Sequence, residues 1–244
     1  MKNIDFNCDV GEGIENEYLL MPFISSCNIA CGGHYGDENT IDKTIQLAIE
    51  NKVKIGAHPS FPDKENFGRK IMNISDDELE KSIVFQMNLF EQCLHKKNAK
   101  MHHIKAHGAL YNLIAKDKNT AAVFVNSIKK YIKNAYLYVP FQSAIEEVAV
   151  KNNIKIKYEA FADRNYNDDL SLVSRSKSNA MITSPIKVYQ HVLNIVQNNA
   201  VITVSNSVIK IKADTFCIHG DTKNALEILQ KITTLLKTQN KQVV

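Results

Sequence analysis

Short apolar runs alternate with amphipathic helical patterns along almost the whole chain of 244 residues. The strand-like runs span residues 4–9, 25–31, 53–58, 101–107, 135–139, 157–162 and 214–219. The helical patterns span residues 40–51, 76–97, 120–133, 142–152, 185–197 and 223–237. Because strands that alternate with helices form βαβ units, this order predicts an α/β fold built on a mainly parallel sheet.

Two local patterns sharpen this outline. Ser75, followed three residues later by Glu78, is typical of a capping box at the start of a helix. Residues 201–211 alternate around Asn206-Ser207 and predict a β-hairpin. Since no linker, repeat or low-complexity stretch interrupts the chain, we expect a single domain over residues 1–244.

Composition and charge argue against several classes of protein. The chain has no apolar run of about 18 residues or more, so a transmembrane helix is not expected. The net charge of +4 comes from scattered lysines without interleaved aromatics, which argues against nucleic-acid binding. The 5 cysteines lack zinc-ribbon spacing and indicate reduced, structural thiols. Together with an N-terminus that lacks a signal-peptide pattern, these features predict a cytoplasmic protein.

Polar side chains recur at the carboxyl end of nearly every predicted strand. With period-two alternation, Asn7 and Asp9 share one face of their strand. His103, Lys105 and His107 likewise share a face. Later strands repeat the pattern with Glu159, Asp163, Cys217, His219 and Asp221. Because (β/α) barrels carry their active sites at this end of the strands, the pattern favours a barrel over an open doubly wound sheet.

Taken singly, these residues have ordinary structural explanations. Asp9 could cap a turn before Gly11, and His58 before Pro59 could be a satisfied structural histidine. Lys105 is harder to explain as packing, since lysine is almost never buried unpaired. Titratable groups that converge at one end of a sheet are instead typical of hydrolytic chemistry, which needs a base, an acid and a group that stabilises charge.

Seven multi-residue motifs occur in one order along the chain. They are NCDVGEG from Asn7, NIACGGHYGD from Asn28, IGAHPS from Ile55, FGR from Phe67, KAHGALYN from Lys105, FADRNY from Phe161 and CIHGDT from Cys217. In sequence and order these motifs resemble those of the LamB/YcsF family and cover almost the whole chain. The resemblance implies a distorted (β/α) barrel similar to that of the polysaccharide deacetylases and glycoside hydrolases.

The resemblance also implies an activity. It implies an ATP-dependent 5-oxoprolinase reaction, in which 5-oxoproline, ATP and water give L-glutamate, ADP and phosphate. It further implies two partner subunits, B and C, and Mg²⁺ that accompanies ATP. Since no G-x-x-x-x-G-K-[ST] motif occurs in the chain, contact with ATP rests on the resemblance alone. We therefore expect the partners to contribute ATP-linked activation and this chain to contribute ring opening.

Roles within such a site can be assigned by chemistry. We expect Asp9 to act as general base toward water, and His58 or His107 to act as acid toward the leaving nitrogen. Lys105 is expected to stabilise developing oxyanion or phosphate charge. The expected substrate-binding residues are Asn7, Glu12, Asn28, His34, Asp37, Arg69, Asp163, Arg164, His219 and Asp221. In an alternative site, suggested by the deacetylase-like fold, Asp9, His34 and His58 hold a divalent transition metal that activates the water.

Arginine is rare in this lysine-rich chain, which contains only Arg69, Arg164 and Arg175. A guanidinium can bind a carboxylate or phosphate through two parallel hydrogen bonds, which an ammonium cannot do. We therefore expect Arg69 and Arg164 to bind the substrate. The alternative for Arg164 is a structural ion pair with Asp163 or Glu159.

Two other functions stay open from the sequence. The first is a stand-alone, metal-dependent deacetylase or amidohydrolase on the same barrel, which full activity without partners or ATP would favour. The second is a non-catalytic, substrate-binding subunit whose partners carry out catalysis. Active-site substitutions without effect on the assembled complex would favour that second function.

Overall fold

Seven parallel strands close into a barrel in the computed structural model, which describes residues 4–222, 224–238 and 243. The barrel strands are β1 (Phe6–Val10), β2 (Ser26–Ala30), β3 (Lys54–His58), β4 (Met101–Ile104), β5 (Tyr136–Pro140), β6 (Ile156–Phe161) and β9 (Thr215–Cys217). Strand β9 pairs with both β6 and β1 and so closes the barrel. Strands β7 (Ala200–Ile202) and β8 (Val208–Lys210) form a separate antiparallel hairpin. The predicted (β/α) barrel is confirmed, and the predicted hairpin forms as expected.

Helices connect the barrel strands. They are α1 (Glu17–Leu20), α2 (Glu38–Glu50), α3 (Asp76–Lys96), α4 (Gly108–Ile114), α5 (Lys118–Ile128), α6 (Ala144–Lys151), α7 (Pro185–Asn198) and α8 (Ala225–Thr238), with a 3-10 helix at Met21–Phe23. The predicted helices correspond to six of these, and the sequence pattern misses the short α1 and α4. Lys223, the first residue of the last predicted helix, lies outside the described residues. Among the described helices, none combines the length and apolarity needed to cross a bilayer.

Side-chain caps fix the starts of two long helices. The Ser75 hydroxyl accepts a hydrogen bond from the backbone N–H of Glu78, whose carboxylate accepts one from the Ser75 N–H, so the predicted capping box is present. Asp37 accepts from the backbone N–H of Thr40 at 2.9 Å and caps α2. Each cap contributes about 1 kcal/mol to helix stability.

The connection from β4 to α4 brings His107 to the barrel mouth. The predicted strand 101–107 is too long, because β4 ends at Ile104 and His107 is the N-cap of α4. Gly108 follows with φ +58°, and a Cβ at this position would lie 2.6 Å from the Gly68 carbonyl oxygen. Only glycine allows this close approach in a left-handed conformation. The N-terminus of α4 is thereby held against the loop that follows β3.

The barrel interior is filled by polar side chains rather than by an apolar plug. The Asn28 amide donates to Asn7 Oδ1 at 2.7 Å, and the His103 ring contacts Asn28 Oδ1 through Nε2 at 2.6 Å. His103 also stacks on Tyr138, with ring centroids 4.0 Å apart. Gly56 provides the space, since a Cβ there would lie 2.1 Å from His103 Nε2. This network forms a rigid layer beneath the carboxyl ends of the strands.

The apolar core includes the side chains on the inward-facing side of the surrounding helices. On α3, the side chains at helical spacing are fully or almost fully buried: Leu79, Ile83, Met87, Phe90 and Leu94. Burial of each such side chain contributes about 1.5–3 kcal/mol. All of the cysteines are buried free thiols: Cys8, Cys27, Cys31, Cys93 and Cys217. This agrees with the structural role expected for them.

Candidate active site

A cavity of about 590 Å³ opens at the carboxyl ends of the barrel strands. Its inner end, called the floor below, is lined by Asp9, Glu12, His58, Lys105, His107 and His219. Five further cations, called the rim below, lie elsewhere on its wall among uncharged residues: Arg69, Lys116, Arg164, Arg175 and Lys177. The volume falls within the range of about 300–1,000 Å³ that is usual for small-molecule sites. Acid–base groups and cations therefore face one space.

Lys105 is buried at the floor between two carboxylates. Its ammonium donates to Asp9 Oδ1 at 2.9 Å and lies 3.0 Å from Glu159 Oε1 and 3.1 Å from the Cys217 sulfur. Burial acts to lower the pKa of Lys105, but the carboxylates outweigh it and raise that pKa well above its ordinary value. Burial likewise acts to raise the pKa of Asp9, but His58 and Lys105 hold it well below its ordinary value. The pair is thus charged.

Two backbone carbonyls fix the tautomers of the floor histidines. His58 Nδ1 lies 2.8 Å from the Lys105 carbonyl oxygen, and His107 Nε2 lies 2.9 Å from the Phe67 carbonyl oxygen. Because a carbonyl oxygen only accepts, both of these ring nitrogens carry a hydrogen. In the neutral rings, His58 Nε2 and His107 Nδ1 therefore bear lone pairs, and they face each other at 3.0 Å.

His34 holds the carboxylate of Glu12. Its Nε2 lies 2.8 Å from Glu12 Oε1, and its ring stacks on that of His107 with centroids 3.6 Å apart. Among the described residues, nothing hydrogen-bonds the buried Nδ1 of His34. Burial, with the nearby carboxylate of Asp9, raises the pKa of Glu12 to about 7. Glu12 is therefore placed to exchange a proton near neutral pH.

Asp163 orients the remaining floor histidine, His219. The His219 Nδ1 atom lies 3.0 and 3.1 Å from the two carboxylate oxygens, and Thr222 donates to the same carboxylate at 2.6 Å. Burial acts to raise the pKa of Asp163, but His219 and Thr222 outweigh it and lower it. An ionised Asp163 keeps the hydrogen on Nδ1, so that Nε2 of His219 remains available for proton transfer.

The arginines of the rim differ in their contacts. Arg69 and Arg175 both pair with the carboxylate of Asp221, the latter at 3.3 Å. Arg164 is buried and donates to the carbonyl oxygens of Val173 at 2.6 Å and Ala180 at 3.4 Å. These bonds join distant parts of the loop that follows β6. Of the two arginines expected to bind substrate, Arg69 is thus the more exposed, whereas Arg164 lines the cavity with its guanidinium bonded to backbone carbonyls.

A group of four side chains has the composition of a metal site. Ligand atoms of Asp9, Glu12, His58 and His107 all lie within 4.8 Å of one another. Two carboxylate oxygens and two imidazole nitrogens suit a divalent transition metal. The expected set of Asp9, His34 and His58 differs from this group, because His34 contacts Glu12 instead. A second group contains Asp9, Cys217 and His219.

Most of the expected site residues lie in or directly behind the cavity. Asn7 and Asn28 support Asp9 and Lys105 from below. Asp37 is the exception, because it caps α2 and is exposed to solvent. The expected set lacked residues that the structure brings to the site: Lys116, Glu159, Arg175, Lys177 and Cys217. Strand alternation pointed to Glu159 and Cys217, whereas no sequence signal marked the lysines.

Comparisons with known proteins agree with this architecture. The model of the LamB/YcsF family matches residues 4–244. A protein of Histophilus somni (strain 129Pt), named as the A subunit of 5-oxoprolinase, is 40% identical over 97% of this chain and 96% of its own length. One of Bacillus cytotoxicus with the same name is 38% identical over 95% and 94%. The crystal structure of a lactam utilization protein from Thermus thermophilus aligns with a TM-score of 0.92 at 31% identity, over 99% of both chains. The chain therefore belongs to the LamB/YcsF family.

Proposed function

We propose that the chain is the A subunit of an ATP-dependent 5-oxoprolinase, which opens 5-oxoproline to L-glutamate. Relatives of that name align along at least 95% of it. The observation that carries the proposal is the cavity, in which acid–base groups at the floor face a cationic rim. 5-Oxoproline is a small cyclic amide with one carboxylate, so its hydrolysis needs both features.

ATP serves to activate the amide. Transfer of the γ-phosphoryl group to the lactam oxygen gives ADP and a phosphorylated imidate, which is a far better electrophile than the lactam. Attack of one water at the same carbon and cleavage of the ring C–N bond give γ-glutamyl phosphate, which a second water hydrolyses to glutamate and phosphate. We assign the phosphoryl transfer, with Mg²⁺, to the partner subunits B and C, because the chain has no P-loop motif. The later steps belong to this chain.

The floor residues have distinct roles in ring opening. Asp9 accepts a proton from the attacking water, since Asn28 and Lys105 occupy its Oδ1 and leave Oδ2 turned toward His58. The ammonium of Lys105 stabilises negative charge on the reacting oxygen. His219, oriented by Asp163, protonates the leaving nitrogen in place of His58 or His107, whose lone pairs face each other.

The rim binds the anionic parts of the substrate. Arg69 and Arg175 already hold one carboxylate, that of Asp221. Exchange of this carboxylate for that of 5-oxoproline, or for the phosphate of the activated form, keeps their charge-assisted hydrogen bonds. Lys116 and Lys177 add positive charge along the same wall.

The proposed function also implies a location and a set of partners for the protein. A cytoplasmic location suits an enzyme that uses ATP and whose cysteines are all buried free thiols. The enzyme acts as one domain over residues 1–244. The partners are the B and C subunits and a small-molecule substrate, without nucleic acid or membrane.

Reconstitution tests the proposal. We expect glutamate release from 5-oxoproline when this chain is mixed with subunits B and C and MgATP, and none from this chain alone with MgATP. Turnover of 5-oxoproline by the chain alone, without ATP, would instead identify a stand-alone amidohydrolase. Glutamate release by B and C alone would assign ring opening to the partners and overturn the proposal.

A further inference from the structure

Four side chains at the floor turn acceptor atoms toward one point. His58 Nε2 and His107 Nδ1 lie 3.0 Å apart, each with its lone pair directed inward because its other nitrogen donates to a backbone carbonyl. Glu12 Oε1 lies 3.3 Å from His107 Nδ1, and Asp9 Oδ2 lies 3.4 Å from His58 Nε2. Such a convergence of electron pairs is repulsive unless a cation occupies the space between them.

We propose that Asp9, Glu12, His58 and His107 bind one divalent transition-metal ion. Zinc bonds to nitrogen and oxygen of about 2.0–2.1 Å place neighbouring tetrahedral ligand atoms about 3.3 Å apart. Four of the six separations here are 3.0, 3.3, 3.4 and 4.0 Å, and all six lie within 4.8 Å, so side-chain rotations bring the donors to bonding distance. With two nitrogen and two oxygen donors, the site prefers zinc, manganese, iron or cobalt to calcium or magnesium.

The surrounding contacts orient each donor, as they do around metal ligands. The carbonyl oxygens of Lys105 and Phe67 fix the two rings, and these second contacts make an imidazole a better ligand. Asn28 and Lys105 occupy Asp9 Oδ1 and leave Oδ2 for the metal. His34 restrains Glu12 Oε1, which makes it a positioning residue rather than a ligand.

Charge balance at the floor supports the same conclusion. Asp9, Glu12 and Glu159 are buried carboxylates, and Lys105 is the cation that lies between two of them. Excess buried negative charge is costly, and a bound dication offsets it. A bound metal of this kind supplies Lewis-acid activation of water or of a carbonyl oxygen. Metal binding is independent of the substrate assigned above, but it would use Asp9 Oδ2, so in the metal-bound chain Asp9 would be a ligand and not the general base.

Spectroscopy of the purified, chelator-treated chain tests this site without reference to activity. We expect one Co²⁺ per chain, with visible absorption bands, and competitive displacement by Zn²⁺ in calorimetry. Glu12→Gln and His107→Gln should each weaken Co²⁺ binding by at least about 10–100-fold. His95→Gln, on the exposed surface of α3, is the matched control and should bind Co²⁺ as the wild type does.

Two outcomes contradict the metal site. One is a folded wild-type chain that binds neither ion with a Kd below about 1 mM, in which case a shared proton separates the histidines. The other is a ligand set that does not include His58 and His107. X-ray absorption of the Zn²⁺-loaded wild-type chain determines the element types of the ligands and the number of imidazoles among them without any substitution. Nitrogen and oxygen ligands alone are expected, whereas a sulfur ligand would identify the group of Asp9, Cys217 and His219 instead.

Discussion

The side chain of Lys105 at the floor is 2% exposed and lies between two carboxylates, whereas that of Arg69 at the rim is 41% exposed and pairs with one. The floor residues are also tied to backbone carbonyls or to buried partners. Exposed ion pairs contribute little to stability and exchange partners readily, while buried ones are held in a fixed geometry. The floor is therefore organised before substrate arrives, and the exposed cations of the rim, such as Arg69, are free to rearrange around an anion.

Substitution of Lys105 should have the largest effect. Lys105→Met leaves Asp9 and Glu159 buried without their cation, which should cost about 3–5 kcal/mol of unfolding free energy and abolish activity. Urea denaturation of this variant measures the effect. Lys81→Met, which removes an exposed partner of Asp77, is the control and should change stability by less than about 1 kcal/mol. Equal stability of the two variants would contradict the fixed, buried pairing assigned to Lys105 at the floor.

Substitution of Asp163 should affect catalysis more than stability. The amide in Asp163→Asn can donate to His219 Nδ1 and so favour the wrong tautomer, which should lower kcat by about 10²–10⁴-fold with little change in KM. Steady-state kinetics of the reconstituted complex measures both constants. Asp168→Asn, which changes an exposed aspartate that accepts from Thr203 and Ser205, is the matched control. A kcat within threefold of the wild type would remove His219 from the proton-transfer scheme.

At the rim, the exposed arginine should control binding. Arg69→Lys keeps the charge but loses the planar fork, so we expect KM to rise about tenfold, equivalent to about 1.4 kcal/mol, with the melting temperature unchanged. Kinetics over a range of 5-oxoproline concentrations measures this effect. An unchanged KM would show that the carboxylate is bound elsewhere.

Arg164 provides the contrasting and smallest effect. Because its guanidinium donates to Val173 and Ala180, Arg164→Lys should lower the free energy of unfolding by about 1 kcal/mol and leave KM almost unchanged. Thermal denaturation together with kinetics separates the two possibilities. A raised KM with an unchanged melting temperature would make Arg164 the substrate anchor that the rarity of arginine in the sequence predicts.

The sequence predicts the barrel because strand and helix periodicity are local properties. The capping box at Ser75 and the hairpin at 201–211 follow from the same local rules. Helix α4 is missed because its start depends on the contact between Gly108 and Gly68, which are distant in the sequence. Local rules therefore predict the elements and not their junctions.

The candidate site likewise contains residues that the sequence identifies and contacts that it does not. Residue types at strand ends identify Asp9, Lys105 and His107 from the sequence. The sequence does not predict which side chains pair across the barrel. Glu159 pairs with Lys105, and Asp163 pairs with His219. From the sequence, Arg164 is the alternative partner of either carboxylate. Rim residues such as Arg175 lie on a long loop whose path no periodic pattern determines. Tertiary packing alone brings them together.

The central claim is that ring opening takes place at this floor, and Asp9→Asn tests it most directly. In the complex with subunits B and C, ADP and glutamate should be measured in the same reaction. The substitution keeps the shape of the side chain, and loss of a general base costs about 10²–10⁴-fold in rate. We predict that glutamate release falls by at least that lower factor while ADP formation continues. Glutamate release within threefold of the wild type would contradict the account.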